Sequence, residues 1–486
     1  MKLKIKGWSL EKIKTKYKAI QKNKGATSAE RYLGVLCKRT FLSLWSYQNI
    51  YRNEKDSNEK TQGKEIADLL VIFGEHILIF SDKYCAIPDT GDIYLDWSRW
   101  FDRAIKRSTL QAWGAERWIR HNPSRLFLDK NCKQPIPLKL PKIEEAYFHL
   151  IVVAHGINGR IADSFGGSGS LMIDSSIEGF ENHIKPFNIG VLDSKKTFVH
   201  VFDTEALNCL MYARDTISDF VAYLMKREKL LSGSIKISSA GEEELLAVYM
   251  TCYNEKKEHD FIFPVKEVEK FNGIALVEGH WKDFEISPQR IEQLKQDEIS
   301  YMWDALIEKF NHYALLGKQY AVTEGGFKDT EAVLRFMARE PRFKRRLLSN
   351  TLKEILETTP DDMRRLRILP PLLADDPYYI FLLLPYNKSF HLSNHEYREA
   401  RMEFLKACCM VLKMEHPTAK DIVGIATESG LSDANRSEDA VHLDAREWNV
   451  DLDNEARKIQ KELNILTNAK PQEFRLKEYP DILPNI

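Results

Sequence analysis

The chain has 486 residues, of which 43% are hydrophobic and 29% are charged, so it can bury a large core and divide into two or three domains. Lys plus Arg and Asp plus Glu both total 71, so net charge indicates neither an acidic nor a basic partner. Seven cysteines without a CxxC pair indicate free thiols in a reducing compartment, and we expect a cytoplasmic protein. No apolar run reaches the length of a membrane span, and no secretory signal begins the sequence, so no membrane partner is expected.

Residues 1–27 are a basic segment. Up to Ala26 the segment holds nine lysines and one acid, Glu11, which makes a local charge of +8. One interpretation is a solvated, partly helical lead-in, because charge runs are usually exposed. The other is an arm that contacts the phosphates of a nucleic acid.

A helix is predicted to begin at Thr27 or Ser28, whose hydroxyls can accept hydrogen bonds from the free N–H groups of its first turn. Glu30 lies one helical turn before an apolar stripe and on the same side of the helix. That stripe consists of Leu33, Cys37, Phe41 and Leu44. The spacing therefore predicts that a carboxylate points toward the core.

The next segment, GKEIADLLVIFGEHILIFSDKYCAI, reads as a β-hairpin that turns at Gly74 and Glu75. This turn sets Phe73 opposite His76 and Asp68 opposite Ser81. Since side chains alternate with a period of two, Asp68, Ser81 and Lys83 are expected on one face. Glu65 and Asp82 are expected on the other, unless a β-bulge turns Glu65.

Charges at these positions have two interpretations, because a lone buried aspartate costs several kcal/mol unless it is paired or binds a metal. Asp68 and Lys83 can form a structural ion pair between the strands. Alternatively, Asp68 and a helix carboxylate can hold Mg²⁺ while Lys83 acts on a phosphodiester. Only the metal interpretation also explains why Glu30 lies on an apolar stripe.

A second helix is predicted from about Asp96, with Trp97, Trp100, Ala104 and Ser108 at helical spacing. Continued, this spacing places Gln111 on the inward side. The strand AYFHLIVVA follows and ends at the turn HGING. His155 at this turn can contact the site of Asp68 and Lys83, but a histidine at the end of a strand is more often a surface residue. His200, in the strand FVHVFD, is expected to be a satisfied core histidine.

Residues 161–486 are predicted to form a larger C-terminal α/β domain of unknown role, with a sub-boundary near 289. SFGGSGSLMI lacks the pattern of a phosphate-binding loop and is predicted to be a loop before a strand. YYIFLLLP and DIVGIAT are predicted strands around a long helix. This region contains no catalytic constellation, and we expect any protein partner or homo-oligomer contact to use it.

The order of Glu30, Asp68 and Ser81-x-Lys83 resembles the PD-(D/E)XK nuclease superfamily over residues 28–160. In this superfamily a helix glutamate precedes a hairpin that bears an Asp and an acid-x-Lys motif. The resemblance implies a restriction-endonuclease-like mixed sheet flanked by helices, with Mg²⁺ or Mn²⁺ as the cofactor. It also implies catalytic roles for Asp68, Lys83, Ser81, Glu30 and Gln111.

This chain departs from the family pattern at Ser81, where the family has an acid. A serine hydroxyl is a weak metal ligand, so another carboxylate must take its place. Glu30 is the first candidate to bind the metal with Asp68, and Glu65 is the second. For Gln111, the alternative to a catalytic role is a polar patch within a helix interface.

The sequence therefore predicts a metal-dependent nuclease that acts on DNA and that belongs to bacterial anti-phage defence. One alternative is a non-catalytic nucleic-acid-binding or adaptor protein that retains a degenerate nuclease fold. Another is an enzyme whose chemistry resides in residues 161–486.

Overall fold

The computed structural model describes residues 19–25, 27–55, 61–263, 273–320, 326–373, 375–386, 393–429, 436–467 and 477–480. The chain divides into two compact units. The N-terminal unit ends at Lys295 and also includes Asn311–Lys318, and the C-terminal unit comprises Gln296–Phe310 and Gln319–Pro480. Both are α/β, as predicted. Residues 1–18 of the basic segment lie outside the described residues.

The helices lie mostly between strands, as expected for α/β units. They are α1 (Ser28–Trp45), α2 (Ile93–Phe101), α3 (Arg107–His121), α4 (Asn158–Phe165), α5 (Thr204–Ala213), α6 (Ile217–Leu231), α7 (Glu242–Thr251), α8 (His280–Glu285), α9 (Pro288–Asp297), α10 (Tyr301–Leu316), α11 (Phe327–Ala338), α12 (Arg342–Thr358), α13 (Asn394–Glu415) and α14 (Val450–Leu463). None of the helices in the described ranges is both long and apolar enough to cross a membrane. All seven cysteines are free thiols.

The strands form three sheets. They are β1 (Ser46–Lys55), β2 (Thr61–Phe73), β3 (His76–Tyr84), β4 (Leu126–Phe127), β5 (Tyr147–His155), β6 (Met172–Glu178), β7 (Asn188–Val191), β8 (Val199–Phe202), β9 (Lys236–Ser239), β10 (Gly273–Leu276), β11 (Arg365–Leu369), β12 (Tyr378–Leu384), β13 (Asp421–Glu428) and β14 (Asp439–Asp444). The strand orders are β4-β1-β2-β3-β5-β8, β10-β9-β6-β7 and β11-β12-β13-β14.

The six-stranded sheet contains the predicted hairpin. Its turn is at Gly74, whose φ of 57° is the left-handed conformation that glycine adopts without steric cost. Phe73 pairs with His76, and the predicted register continues to the pair Leu69 and Phe80. Strands β1, β2 and β3 are antiparallel, whereas β3, β5 and β8 are parallel.

Helices α1 and α3 cover opposite faces of this sheet. Phe41 of α1 packs against Phe80, with ring centroids 5.9 Å apart. Arg120 of α3 lies over the ring of Phe148, and the register of β3 and β5 puts Phe148 on the other face from Phe80. The predicted cap and stripe of α1 are confirmed: Thr27 accepts a hydrogen bond from the Glu30 N–H group, and the stripe residues are buried.

The predicted domain boundary at residue 160 does not match the division into compact units. Strand β8 pairs with β5 in the six-stranded sheet, and Phe220 of α6 packs edge-on against Phe41 of α1. The elements after residue 160 therefore complete the first core. The units divide near Lys295, close to the sub-boundary predicted near 289.

The position of Gln111 was predicted wrongly, because a π-helical turn, Asp102–Lys106, joins α2 to α3. A π-turn inserts one extra residue and so shifts the phase of all following side chains. Ser108 is buried as predicted, but Gln111 is exposed, and the buried positions around it are Thr109, Ala112 and Trp113.

The C-terminal unit has the predicted strand, helix and strand around α13. β12 and β13 are parallel, and α13 connects them as a crossover helix. Helix α13 begins with a capping box of Ser393 and Glu396, and its buried side includes Leu405, Cys408 and Leu412. The core of this unit lies between α13, α14 and the sheet.

Candidate active site

The candidate active site lies where the β2–β3 ladder ends, beyond the pair Leu69 and Phe80. Here the Asp68 carboxylate accepts a hydrogen bond of 2.6 Å from the backbone N–H group of Asp82. The Asp68 side chain thus takes the place of a backbone carbonyl group as the acceptor. It holds residues 81–83 of β3, which we call the SDK segment, against β2. Ser81 is 3% exposed, whereas Lys83 is exposed at the end of the strand.

A β-bulge in β2 changes the direction of Glu65. Ile50 pairs with Ala67, but the next residue, Tyr51, pairs with Glu65, so Ile66 is an extra residue in β2. An extra residue breaks the alternation of period two and re-aims the side chains beyond it. The condition under which Glu65 is expected to reach the site is therefore met.

Asn49 of β1 joins Glu65 to Glu30. Its Nδ2 atom donates to Glu30 Oε2 at 2.9 Å and to Glu65 Oε1 at 2.7 Å. Asn49 has a φ of 48°, a left-handed conformation that asparagine tolerates better than most residues. It lies between residues that pair with Leu69 and Ala67, and so lies opposite Asp68. We call Glu30, Glu65 and Asp68 the carboxylate cluster.

The electrostatics of the carboxylate cluster favour a bound proton or cation. Burial raises the pKa of Asp68 to about 7 against the opposing effect of the Asp82 N–H bond, and the charges of Glu65, Asp82 and Glu30 raise it further. Burial also raises the pKa of Glu65, against the Asn49 hydrogen bond, and the charge of Glu30 adds to this rise.

The ion pair considered between Asp68 and Lys83 does not form in the described chain, where Asp68 bonds to backbone and Lys83 is exposed. The structure thus brings Glu30, Glu65 and Asp68 together and leaves Lys83 accessible at the end of β3. It does not bring Gln111 into the site, for the reason given above.

A second set of polar contacts, which the sequence analysis did not predict, joins Asp82 of the SDK segment to His155 and Thr204. The Asp82 carboxylate is fully buried and lies 2.6 Å from His155 Nε2, while His155 Nδ1 lies 2.8 Å from the Thr204 hydroxyl. Because a carboxylate only accepts, Nε2 carries the proton and Nδ1 accepts from Thr204. His155 is therefore a buried link between strands and not a surface residue.

One signal for this link was present in the sequence. Asp82 and His155 each lie near the end of an apolar strand, and the carboxyl ends of parallel strands meet at one edge of a sheet. What the sequence did not contain was the information that β3 and β5 are parallel neighbours.

Comparison of the chain with protein-family models, with curated proteins and with solved structures found no match.

Proposed function

We propose that the N-terminal unit is a metal-dependent nuclease that hydrolyses phosphodiester bonds of DNA. The observation that carries the proposal is the carboxylate cluster, in which two glutamates share one amide donor and burial raises the pKa of Asp68, with a further rise from the charges of Glu65, Asp82 and Glu30. Perturbed carboxyl groups that converge in this way are typical of functional sites. The resemblance to PD-(D/E)XK nucleases rests on Glu30 and Asp68 of the cluster and on Ser81-x-Lys83.

Carboxylate oxygens are the ligands that Mg²⁺ prefers, and Mn²⁺ accepts the same ligands. Asp68, Glu65 and Glu30 would hold the ion, with Glu65 supplying the carboxylate that Ser81 lacks. A bound Mg²⁺ supplies charge stabilisation at the phosphoryl oxygens and lowers the pKa of a bound water. Restriction of foreign DNA, including phage DNA, is part of the same proposal.

The residues of the chain have distinct roles in this proposal. Asn49 orients the two glutamates, and the Asp82 N–H group orients Asp68. Lys83 contacts the scissile phosphate and offsets the negative charge that develops there. Its exposed position at the end of β3 leaves its ammonium group free to approach a bound nucleic acid.

The test is cleavage of supercoiled plasmid by the full chain with Mg²⁺ and with a chelator. We expect nicked or linear DNA only with Mg²⁺. Asp68→Asn and Lys83→Ala should each lower the rate by about 10³-fold, because each removes a group that stabilises the transition state. The control variant is Asp361→Asn, which makes the same change at an exposed position of the C-terminal unit.

Lys83→Ala also distinguishes a catalytic lysine from a structural one. Because Lys83 is exposed, its removal should change the free energy of unfolding by less than about 0.5 kcal/mol. Full cleavage by both site variants would contradict the proposal. Mg²⁺-independent DNA binding without cleavage by the wild type would favour the binding-module alternative, and cleavage of RNA alone would change the substrate.

A further inference from the structure

A second polar cluster lies in the same unit, built from His149, His200 and Glu228. One ligand-type atom of each side chain lies within 4.8 Å of the others. None of the three belongs to the carboxylate cluster or contacts Asp82. The sequence offered no reason to group them, because they come from β5, β8 and α6.

The fold brings both histidines to one face of the sheet. Ile151 of β5 pairs with His200 of β8, and His149 precedes Ile151 by two residues. The period of two therefore puts His149 and His200 on the same side of neighbouring strands. Glu228, on α6, is the third member and is only half-buried.

Both histidines direct an unsatisfied nitrogen into buried space. His149 is 3% exposed and His200 is fully buried, yet His149 Nδ1 and His200 Nε2 have no hydrogen-bond partner among the described residues. A buried polar atom without a partner costs about 1–3 kcal/mol. One ligand bound between the two nitrogens and the nearby carboxylate would satisfy both of them. The prediction that His200 is a satisfied core residue is wrong, because its Nε2 atom has no partner among the described residues.

We propose that His149, His200 and Glu228 form a binding site for a transition-metal ion, and that zinc is its ion. Two imidazoles and one carboxylate are a donor set that zinc accepts, with a fourth position for a water molecule. Mg²⁺ and Ca²⁺ prefer oxygen ligands and fit poorly. Side-chain adjustments of about 1 Å would bring the three atoms to the ~3.4 Å spacing of tetrahedral zinc ligands.

The neighbours of the histidines support this assignment at one position and oppose it at another. His149 Nε2 lies 3.0 Å from His76 Nδ1, so Nε2 can donate to His76 while Nδ1 binds metal, as ligating histidines usually do. His200 Nδ1 lies 3.3 Å from Arg227 Nη1, and these two atoms must separate when Nε2 binds metal. Arg227 keeps its anchor, because Glu242 pairs with its Nε and Nη2 atoms and neutralises its charge.

The site would join three elements that are distant in sequence. Zinc would link β5 and β8, which are adjacent in the sheet, to α6, whose Arg227 contacts His200 of β8. Zinc binding at this site would not involve any residue of the carboxylate cluster. The proposal therefore does not depend on nuclease activity, and its test uses no DNA.

The test is zinc binding by the full chain. The chain is first treated with a chelator, the chelator is removed, and zinc is then added. We expect one zinc per chain after gel filtration, measured by elemental analysis, and a Co²⁺ absorption spectrum typical of four-coordinate sites. Glu228→Gln removes a ligand at a half-buried position and should weaken zinc binding, in competition with a chromogenic chelator, by more than about 100-fold. His76→Phe keeps an aromatic ring beside Tyr147 but removes the partner of His149, and should cost about 10–100-fold.

Glu144→Gln is the matched control, since it makes the same change on an exposed residue before β5. It should bind zinc as the wild type does. Thermal unfolding and circular dichroism of all three variants without metal show whether each is folded. Failure of the folded wild type to retain zinc would overturn the proposal, as would wild-type affinity in both Glu228→Gln and His76→Phe.

Discussion

The protonation of Asp68 depends strongly on its surroundings. Its pKa of about 7 lies well above the usual value near 3.9 for an unfolded chain. Between these two pH values the folded chain therefore holds a proton that the unfolded chain has released. By linkage, this group makes the free energy of unfolding fall as the pH rises from about 4 to about 7.

Asp68→Asn should remove this pH dependence, because its amide oxygen can still accept from the Asp82 N–H group but carries no charge. In a chelator, the stability of the variant relative to the wild type should rise by about 1–2 kcal/mol between pH 5.5 and pH 8.5. Urea unfolding at the two pH values measures this difference. For the control Asp361→Asn, the difference in stability from the wild type should be the same at the two pH values. The same result for Asp68→Asn would show that Asp68 has an ordinary pKa.

At the scale of the element, the bulge in β2 and the left-handed Asn49 in β1 act together. The bulge turns Glu65, and Asn49 supplies the donor that Glu65 and Glu30 share. Like charges this close repel, so the shared donor stabilises an arrangement that an uninterrupted ladder would not form. The same two features decide which carboxylates can share an ion.

Replacement of Asn49 tests this role. Asn49→Gly keeps the left-handed backbone accessible but removes the amide, and should lower the free energy of unfolding by about 1–3 kcal/mol. Asn49→Ala should cost more, because alanine is strained at a φ of 48°. Mg²⁺ should restore part of the stability in both variants by shielding the glutamates, measured by thermal unfolding with and without the ion. If Asn49→Gly is as stable as the wild type, the amide does not hold the two glutamates.

At the scale of the whole molecule, the first core needs elements that follow residue 160. Leu150, Ile151 and Val152 of β5 are fully buried, and β8 pairs along this strand. A fragment of residues 1–160 should therefore bind hydrophobic dyes and unfold without cooperativity, because it exposes one edge and one apolar face of the sheet. A fragment of residues 1–318, which keeps the Asn311–Lys318 part of the N-terminal unit, should unfold cooperatively in urea. Equal cooperativity in the two fragments would restore the predicted boundary.

The role of the basic segment can be tested by a deletion, and the contacts of Asn23 show how far the deletion can extend. Asn23 Nδ2 donates to the carbonyl oxygens of Asn49 and Leu128, so residues near 23 belong to the folded unit. Deletion of residues 1–18 should leave the fold intact and weaken DNA binding evenly across sequences. The binding constant should also depend less on salt. The slope of its logarithm against the logarithm of the salt concentration should become less steep by about 0.9 for each phosphate that the shortened chain no longer neutralises. An unchanged slope would mean that these lysines are only solvated.

Local chemistry made the hairpin, the first helix and the order of the main elements predictable. A glycine in the turn sets the register, period two sets the faces, and the stripe through Leu33 and Cys37 turns Glu30 inward. These features depend on residues within a few positions of one another. The carboxylates of the candidate site, including the conditional role of Glu65, were accessible to the same reasoning.

The tertiary structure decided the rest, because it depends on partners that are far apart in sequence. The extra residue at Ile66 is defined only against β1, and the π-turn that exposes Gln111 forms within a helix packed between other elements. The parallel neighbours β3, β5 and β8 bring Asp82 to His155, and His149 to His200. Strand order and helix phase are set by the packing of the whole core, and no local pattern of residues encodes them.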